Sequence, residues 1–260
     1  MDGTVFDVEV MNGAFGGVTL GLFLNPGSMP FRLHNPRFEA SFGLSGFDDD
    51  TVTTATGGVR DVDGVPGVFA ALPATSRQKR ETFDGSIALK GEVRHGADGD
   101  LTVALESFIR NSDDETLSKC CPAGGIRSAD INSWFYGLML AVQPEVSLGA
   151  RLSLVADLGA GVYLVDGDGK FSSTPVVVTT TISDNKQKLG FRGRAMIGLK
   201  LAHEAGVTTT LFGGIDYWNN VPFANMPSIA TGNFLSHVGF DQLIELKAGA
   251  RVTIPFAGVN

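Results

Sequence analysis

Hydrophobic and polar residues alternate with a strict two-residue period along the last part of the chain, from His237 to Phe256. Every second residue there is apolar, except Gln242: Val238, Phe240, Ile244, Leu246, Ala248, Ala250, Val252, Ile254 and Phe256. The residues between them are charged or small, apart from Leu243. This period predicts a β-strand with one apolar and one polar face. Strands of soluble domains usually have about 5–6 residues, whereas a tilted transmembrane strand needs about 9–11. We therefore interpret this segment as the closing strand of a transmembrane β-barrel.

Eight earlier segments alternate in the same way, which gives nine strands in total. The segment from Thr4 to Leu24 is either one very long strand or a hairpin divided near Asn12-Gly13, a dipeptide that favours tight turns. Bacterial barrels have even strand numbers, so the hairpin would supply a tenth strand. The prediction is an all-β fold: a closed antiparallel transmembrane barrel of about 10 strands, with 8 as the alternative.

The connections between the predicted strands alternate in length. Short turns are predicted at Asn25–Pro30, Gly96–Gly99, Pro144–Glu145 and His203–Gly206. Long loops are predicted at Asp48–Thr82, Asn111–Asp130, Asp166–Lys188 and Asn219–Leu235. Aromatic residues of the apolar faces collect near the ends that carry long loops (Phe83, Trp134, Tyr136, Tyr217), and Phe256 lies at the opposite end. Short periplasmic turns, long extracellular loops and aromatic girdles are typical of outer-membrane barrels.

Composition limits the choice of protein class. The 260 residues suit a single domain, 1–260, and the 18% of charged residues lies below the roughly 25% of soluble domains. The net charge of −8 argues against a nucleic-acid partner. No run of about 18 apolar residues predicts a membrane helix, so a spanning structure must be a closed barrel. Strand-like sequence follows directly after Met1, so a signal peptide is expected to have been cleaved or left out.

The last strand ends with Gly249-Ala250-Arg251-Val252-Thr253-Ile254-Pro255-Phe256, followed by four more residues. With the pattern of the whole chain, this segment resembles the small outer-membrane β-barrel proteins of Gram-negative bacteria, whose C-terminal assembly signal closes on an aromatic residue. The resemblance implies export, insertion by the barrel-assembly machinery, and contact with outer-membrane lipid and lipopolysaccharide. It does not choose among porin, adhesin, structural anchor and enzyme, and it leaves the oligomeric state open.

The polar faces of the predicted strands carry charges of both signs, which the barrel would turn into its lumen. The acidic residues of this set are Asp7, Glu9, Glu39, Asp84, Glu92, Glu106, Asp157, Asp216, Asp241 and Glu245. The basic residues are Arg37, Lys90, Arg94, Arg110, Arg151, Arg192, Arg194, Lys200, Lys247 and Arg251. Side chains just fill barrels of about eight strands, so we expect mutual neutralisation rather than a wide conducting lumen. The predicted function is a structural or surface-interaction role, or a narrow porin-like role.

Two alternatives remain open. A soluble lipid-binding barrel has the same alternation with its apolar face inside. An outer-membrane lipid-modifying enzyme would need a paired Ser and His, and the candidates are Ser236 and His237. Adjacent strand residues point to opposite faces, and the His-x-Ser pattern of barrel lipid A deacylases is absent. We therefore predict no catalytic residues.

No cofactor or metal site is predicted either. The segment Asp166-Gly167-Asp168-Gly169 has the beginning of a calcium loop, but position twelve is Val177 where a Glu is required, so a loop turn is expected. The adjacent Cys120 and Cys121 lack companion ligands with zinc spacing. We expect the cysteine pair in a surface-exposed extracellular loop.

Overall fold

A computed structural model describes residues 13–23, 34–53, 74–96, 99–120, 125–174, 180–225 and 236–254. They form one antiparallel sheet of nine strands, each hydrogen-bonded to the next along the chain. The strands are β1 (Gly13–Phe23), β2 (His34–Thr53), β3 (Ala74–Gly96), β4 (Gly99–Cys120), β5 (Gly125–Ser147), β6 (Leu152–Thr174), β7 (Thr180–Ala202), β8 (Thr208–Asn225) and β9 (His237–Thr253). A 3-10 turn at Glu204–Gly206 joins β7 to β8. Within these ranges no helix is long and apolar enough to cross a membrane.

Side chains of distant strands meet on one face of the sheet, which is therefore strongly curled. Arg110 on β4 forms an ion pair with Glu245 on β9. The ring of Phe108, also on β4, lies 5.6 Å from the ring of Trp218 on β8. We call the face that carries these side chains the inner face and the opposite one the outer face. The end of the sheet with the 148–151 and 203–207 connections is called the lower end.

The lower half of the outer face is apolar and exposed, as the two-residue alternation dictates. On β5, Leu138 and Leu140 are 55% and 68% exposed, whereas the intervening Met139 is 1% exposed. We call this region the apolar band. It includes Phe42, Leu44, Ile87, Leu105, Tyr136, Leu138, Leu140, Leu158, Val162, Leu164, Leu189, Phe191, Ile197, Leu199, Leu211, Ile215, Ile244 and Leu246.

The polarity of both faces reverses above the apolar band. On the outer face β4, β5 and β6 continue with polar residues such as Asp113, Asp130, Asn132, Asp168 and Lys170. On the inner face an apolar cluster contains Ala129, Ile131, Phe171 and Val238. Above the band, β5 and β6 thus have an apolar inner face and a polar outer face, the arrangement found in soluble sheets.

The nine alternating segments of the sequence correspond to the nine strands, and the all-β prediction is confirmed. The predicted extents of the long loops are wrong. β2 and β3 cover both ends of Asp48–Thr82, β4 and β5 cover most of Asn111–Asp130, and β6 and β7 cover most of Asp166–Lys188. On β5 and β6 the physical reason is the polarity reversal, because above the band the apolar residues continue on the opposite face. On β4 and β7 the corresponding residues, Asn111–Glu115 and Ser183–Lys188, are all polar, so no apolar face marks them.

Two smaller predictions also need correction. The segment Asp166-Gly167-Asp168-Gly169 lies inside β6 rather than in a loop turn. The turn predicted at Pro144–Glu145 is displaced, because β5 runs on to Ser147 and the chain reverses at residues 148–151. Pro144 instead interrupts the β5–β6 pairing, which passes from Val142↔Leu158 to Glu145↔Val155, since proline has no N–H to donate.

The connection predicted at His203–Gly206 is confirmed. Cys120 is the last residue of β4 rather than part of a loop, and Cys121 lies outside the described residues. The described residues begin at Gly13, the first residue of β1, so the division predicted near Asn12-Gly13 lies at their edge and stays a prediction. The expected tenth strand before Gly13 and the terminal Phe256 also lie outside the described residues.

The upper part of β9 departs from the simple alternation. Val238 and Phe240 share a sequence face with the exposed Ile244 and Leu246, yet Val238 is fully buried and Phe240 packs against both inner apolar clusters. The prediction that Phe240 faces outward is therefore wrong. A bulge causes the change: the β8–β9 register shifts between Trp218 and Val221, and the intervening Asn220 has a φ of 58°.

Candidate functional site: the inner face of the sheet

The lower part of the inner face is a layer of ion pairs. Glu39 on β2 accepts from Lys90 on β3 at 2.6 Å and from its strand neighbour Arg37 at 2.7 Å. Lys200 on β7 pairs with Glu145 on β5 at 2.8 Å. Each cation in this layer has a carboxylate within hydrogen-bonding distance, so charge is neutralised locally rather than left facing water.

A second layer lies above it, around Arg194 on β7. Its guanidinium contacts Glu106 on β4 at 3.1 Å and Asp157 on β6 at 3.2 Å. Small residues make room for this long side chain: Ala104, Ala141 and Gly159 occupy the same register row as Arg194 on β4, β5 and β6. Alternation of large and small side chains lets a curled sheet fill its interior.

The third layer is the most buried and is centred on Asp216 of β8, which is 1% exposed. Arg192 donates to both of its carboxylate oxygens, at 2.9 and 2.7 Å, and Lys247 donates at 3.0 Å. Lys247 also pairs with Glu245, which in turn accepts from Arg110. With Asp84, 3.6 Å from Arg110, the layer has three cations and three carboxylates: Arg110, Arg192, Lys247, Asp84, Asp216 and Glu245.

Aromatic rings pack directly on these cations. The indole of Trp218 lies between Arg192, whose guanidinium carbon is 4.2 Å from the ring centroid, and Arg110 at 4.6 Å. The rings of Phe108 and Phe135 both meet the indole edge-on at 5.6 Å. Such cation–π contacts partly replace the hydration that a buried guanidinium loses. The space bounded by Arg110, Phe135, Trp218 and Leu243 is too small to hold a water molecule.

Glycines on neighbouring strands accommodate the rings. One register row across β4 to β7 consists of Phe108, Gly137, Tyr163 and Gly190. We call it the ring-and-glycine row. A Cβ atom added at Gly137 would overlap the Phe108 ring, and one at Gly190 would overlap the Tyr163 ring. Each aromatic side chain therefore lies over the adjacent strand, and the row fills the inner face at this level from β4 to β7.

The upper end of the inner face is covered by the β8–β9 hairpin. β7 and β8 pair only as far as Arg192↔Trp218. Above that point, Pro222 and Val238 pack on Gly167 and Gly169 of β6. The hairpin thus crosses towards β6 instead of following β7.

Side chains hold the hairpin in this position. The backbone N–H of Val238 donates to Asp184 at 2.9 Å, and Lys186 donates to the Val238 carbonyl at 2.8 Å. Asn220 donates to the Leu189 carbonyl at 2.8 Å. The hydrogen bond from Val238 lowers the pKa of Asp184, helped by the nearby Lys186 ammonium.

The outer face above the apolar band carries a shallow acidic depression of about 180 Å³, lined by Asp113, Asp130, Asn132, Asp168 and Lys170. Partial burial and the neighbouring carboxylate of Asp130 raise the pKa of Asp113. Within the described part of the chain, no group of three or more His, Cys, Asp or Glu side chains is arranged to hold a metal ion.

The structure brings together most of the charged residues that the sequence placed on the polar faces. Thirteen take part in the ion pairs described above: Arg37, Glu39, Asp84, Lys90, Glu106, Arg110, Asp157, Arg192, Arg194, Lys200, Asp216, Glu245 and Lys247. Glu92 is half-buried, and Arg151, Asp241 and Arg251 are exposed. Asp7, Glu9 and the side chain of Arg94 lie outside the described part of the structure.

Sequence reasoning missed four inner-face residues. Glu145 was assigned to a turn, Arg80 and Asp114 to loops, and Trp218 to no face. Strand parity could have placed all four. Arg80, Asp114 and Trp218 are an even number of positions from a recognised inward residue on the same strand, and Glu145 is an odd number of positions from the outward Tyr136. Arg80 and Asp114 form an ion pair between β3 and β4 at the upper end of the inner face.

The two enzyme candidates differ in burial. Ser236 is buried just before β9, whereas His237 is half-buried at its first position. Comparisons of the chain with protein-family models and with curated proteins found no match.

Proposed function

We propose that this chain is an integral β-barrel protein of the outer membrane of a Gram-negative bacterium, with a lumen filled by its own side chains. The observation that carries the proposal is the apolar band. Leucine, isoleucine, valine and aromatic side chains are exposed on every strand from β2 to β9, while charged networks are buried behind them. A soluble barrel would reverse this arrangement, because its charges would gain hydration outside and its leucines would be buried.

Membrane insertion requires that the sheet be closed. In lipid, each unpaired backbone N–H or C=O costs several kcal/mol, so the edges of β1 and β9 need partners. We infer that β1 and β9 pair directly or through a strand formed by the residues that precede Gly13. The long-range contacts between β4 and β9 support this closure, because the sheet has already curled far enough to bring these strands face to face.

The filled inner face favours a structural or surface-presentation role over that of a wide pore. Three layers of paired charges, the ring-and-glycine row and the β8–β9 hairpin occupy successive levels from the lower end to the upper end. In this proposal the partners are outer-membrane lipid and lipopolysaccharide around the band, and the barrel-assembly machinery during insertion.

Spin labels on single cysteines test the membrane proposal in reconstituted vesicles, with Cys120 and Cys121 replaced by Ser. Labels at Leu140, Ile197 and Leu246 are expected to collide more with oxygen, which concentrates in the bilayer, than with a water-soluble nickel chelate. Matched labels at Asn132 and Gln187, on the outer face above the band, should show the opposite preference. Preferential collision of the three band labels with the chelate would contradict the proposal.

Planar-bilayer recording tests the filled lumen separately. We expect no large steady current from the purified protein. Porin-sized currents in a barrel whose band labels do lie in lipid would overturn the filled lumen while leaving the membrane assignment intact.

A further inference from the structure

The upper part of the β8–β9 hairpin, residues 219–225 and 236–242, is attached to the rest of the sheet through side chains. We call this part the upper hairpin. The backbone ladder between β7 and β8 ends at Arg192↔Trp218, and above it the described pairs of these residues join only β8 and β9. The hydrogen bonds described between the upper hairpin and β6 or β7 all use a side chain, from Tyr163, Asp184, Lys186, Asn219 or Asn220.

Two features of β8 keep the upper hairpin out of the β7 ladder. The bulge at Asn220 shifts the β8–β9 register by one residue and turns the strand. Pro222 lies opposite Phe240 within the β8–β9 ladder, so its nitrogen, which has no hydrogen to donate, faces away from β9. The free edge of β8 therefore lacks a donor in the part that would have to pair with β7.

The surface under the upper hairpin is an apolar bed with a glycine floor. Pro222 and Val238 pack on this floor, which Gly167 and Gly169 form. The inward residues beside the floor are apolar and buried: Ala129, Ile131 and Phe171. Apolar contacts of this kind are non-directional, so the hairpin can leave the bed as one body without breaking a backbone ladder.

Two polar atoms near the base of the upper hairpin are buried without a partner. The indole N–H of Trp218 and the hydroxyl oxygen of Ser133 have no hydrogen-bond partner within the described residues, and both side chains are buried. Such atoms cost free energy as long as they are kept from water. Lifting the hairpin would admit water to them, so these two atoms oppose the closed position that the apolar bed favours.

From these contacts we propose that the upper hairpin is a lid. It lifts from the bed as one body, hinged at the Asn220 bulge, and exposes Ala129, Ile131 and Phe171 at the upper end of the inner face. The layers below the ring-and-glycine row stay filled, so the lid uncovers a surface rather than a channel. That this surface faces the outside of the cell rests on the membrane barrel proposed above, whereas the lifting itself does not.

Cysteine reactivity measures the lifting in the full chain, with Cys120 and Cys121 replaced by Ser. Ile131→Cys lies under the lid, and the matched Met139→Cys lies on the same strand below the ring-and-glycine row; both native side chains are 1% exposed. In reconstituted vesicles a water-soluble thiosulfonate should modify the Ile131→Cys protein roughly tenfold faster, because local opening exposes that site alone. Equal rates for the two proteins would overturn the lid.

The side chains that hold Val238 give the second measurement. Asp184→Asn and Lys186→Met each remove one of its hydrogen bonds to β7. Added to Ile131→Cys, each should raise the modification rate severalfold, and added to Met139→Cys neither should change it. A rise at both cysteines would indicate unfolding of the whole sheet, and no rise at either would show that these bonds hold no lid. Both results would contradict the proposal.

A crosslink tests the lid without a substitution at Ile131. A Cβ atom built at Gly167 would lie 3.0 Å from the Cβ of Pro222, and disulfides join Cβ atoms about 3.5–4.5 Å apart, so a small shift suffices. Gly167→Cys combined with Pro222→Cys should therefore form a disulfide on oxidation. Exchange of the Val238 amide should then slow roughly tenfold relative to the reduced form of the same protein.

The reduced protein is its own control, and exchange of the Met139 amide should not change on oxidation. A cysteine pair that stays reduced, or Val238 exchange that oxidation leaves unchanged, would overturn the lid. If the spin labels at Leu140, Ile197 and Leu246 collide preferentially with the chelate while Ile131→Cys still reacts faster than Met139→Cys, the membrane barrel has failed and the lid stands.

Discussion

Arg110 on β4 donates from both terminal guanidinium nitrogens to the carboxylate of Glu245 on β9, although four strands separate β4 from β9 in the sheet. The Arg110 side chain is 4% exposed and that of Glu245 is 18% exposed. A flat sheet would hold these strands tens of ångströms apart, since neighbouring strands are about 4.8 Å apart. The contact between Arg110 and Glu245 therefore shows that the sheet is strongly curled.

Replacing only one partner of this ion pair should strongly destabilise the protein, because the charge of the other partner stays buried. We expect Arg110→Met or Glu245→Gln to lower the free energy of unfolding by about 3–5 kcal/mol, measured by urea titration in vesicles with tryptophan fluorescence. The double variant should lose less than the sum of the two. Glu81→Gln, which removes the exposed pair with Lys79, is the control and should cost less than about 1 kcal/mol. A similar small loss for all variants would contradict the buried role of Arg110.

The ring-and-glycine row gives a steric prediction. Gly137→Ala and Gly190→Ala should each destabilise the protein by about 1–3 kcal/mol, because the added methyl group displaces the ring of Phe108 or Tyr163. Thermal unfolding in detergent measures the loss. Gly149→Ala is the matched control, since its Cβ would have no neighbour within 4 Å, and its effect should be within about 0.5 kcal/mol. Phe108→Leu should partly rescue Gly137→Ala. Equal effects at Gly137 and Gly149 would exclude the overlap.

The bulge at Asn220 provides a backbone prediction. Its φ of 58° disfavours residues other than Gly, Asn and Asp, and its side chain donates to the Leu189 carbonyl. Asn220→Val should therefore loosen the upper hairpin, whereas Asn220→Gly should retain the bulge while losing only the hydrogen bond. Amide hydrogen exchange of residues 221–225 and 237–241 reports on both. Faster exchange in the Gly variant than in the Val variant would contradict this explanation.

The contact between Asp184 and Val238 should make the upper hairpin sensitive to acid. A carboxyl whose pKa is lowered by folding stabilises the folded state above its unfolded pKa, near 4, and loses that contribution as pH falls through the lowered value. We expect protease cleavage of the hairpin to accelerate below about pH 4 in the wild-type protein. Asp184→Asn should be cleaved faster already at neutral pH, with a weaker dependence on acid. Asp168→Asn, an exposed site, is the control, and an identical pH profile for wild-type and Asp184→Asn would contradict the prediction.

Removing the charge of Asp113 and removing that of its neighbour Asp114 should change the stability of the protein in opposite directions. Folding raises the pKa of Asp113, so at neutral pH its charge opposes folding, and Asp113→Asn should stabilise the protein by less than about 1 kcal/mol. Asp114 binds Arg80, so Asp114→Asn should destabilise it. Urea unfolding of both variants at neutral pH compares them directly. Destabilisation by Asp113→Asn would show that the Asp113–Asp130 contact is favourable as it stands.

The sequence predicted those parts of the fold in which one physical pattern persists. Alternation as at Leu138, Met139 and Leu140 is unambiguous, so the nine described strands and their two faces follow from it. The predicted tenth strand lies outside the described residues. Strand length does not follow, because beyond Asn132 the alternation continues with the polarities exchanged. The partners of side chains across the sheet could not be predicted from the sequence either. Strand parity places Arg110 and Glu245 on the same face, but only the curling of the sheet brings them together. The inward turn of Phe240 depends on the Asn220 bulge, which no apolar pattern marks.

The exchange of polarity along the strands determines what a second molecule meets at the upper surface. From Asn132 up to Gly125, β5 continues for about 25 Å of strand, since each residue adds about 3.3 Å. Its neighbours β4 and β6 rise beside it, and the apolar cluster around Ile131 and Phe171 packs behind them. A ligand or antibody that binds the outer face of β4, β5 and β6 above the band would therefore contact rigid, hydrogen-bonded strands that carry acidic groups. Whatever recognises this protein there must match a fixed spacing of carboxylates, because the strands that carry them cannot adapt as separate loops would.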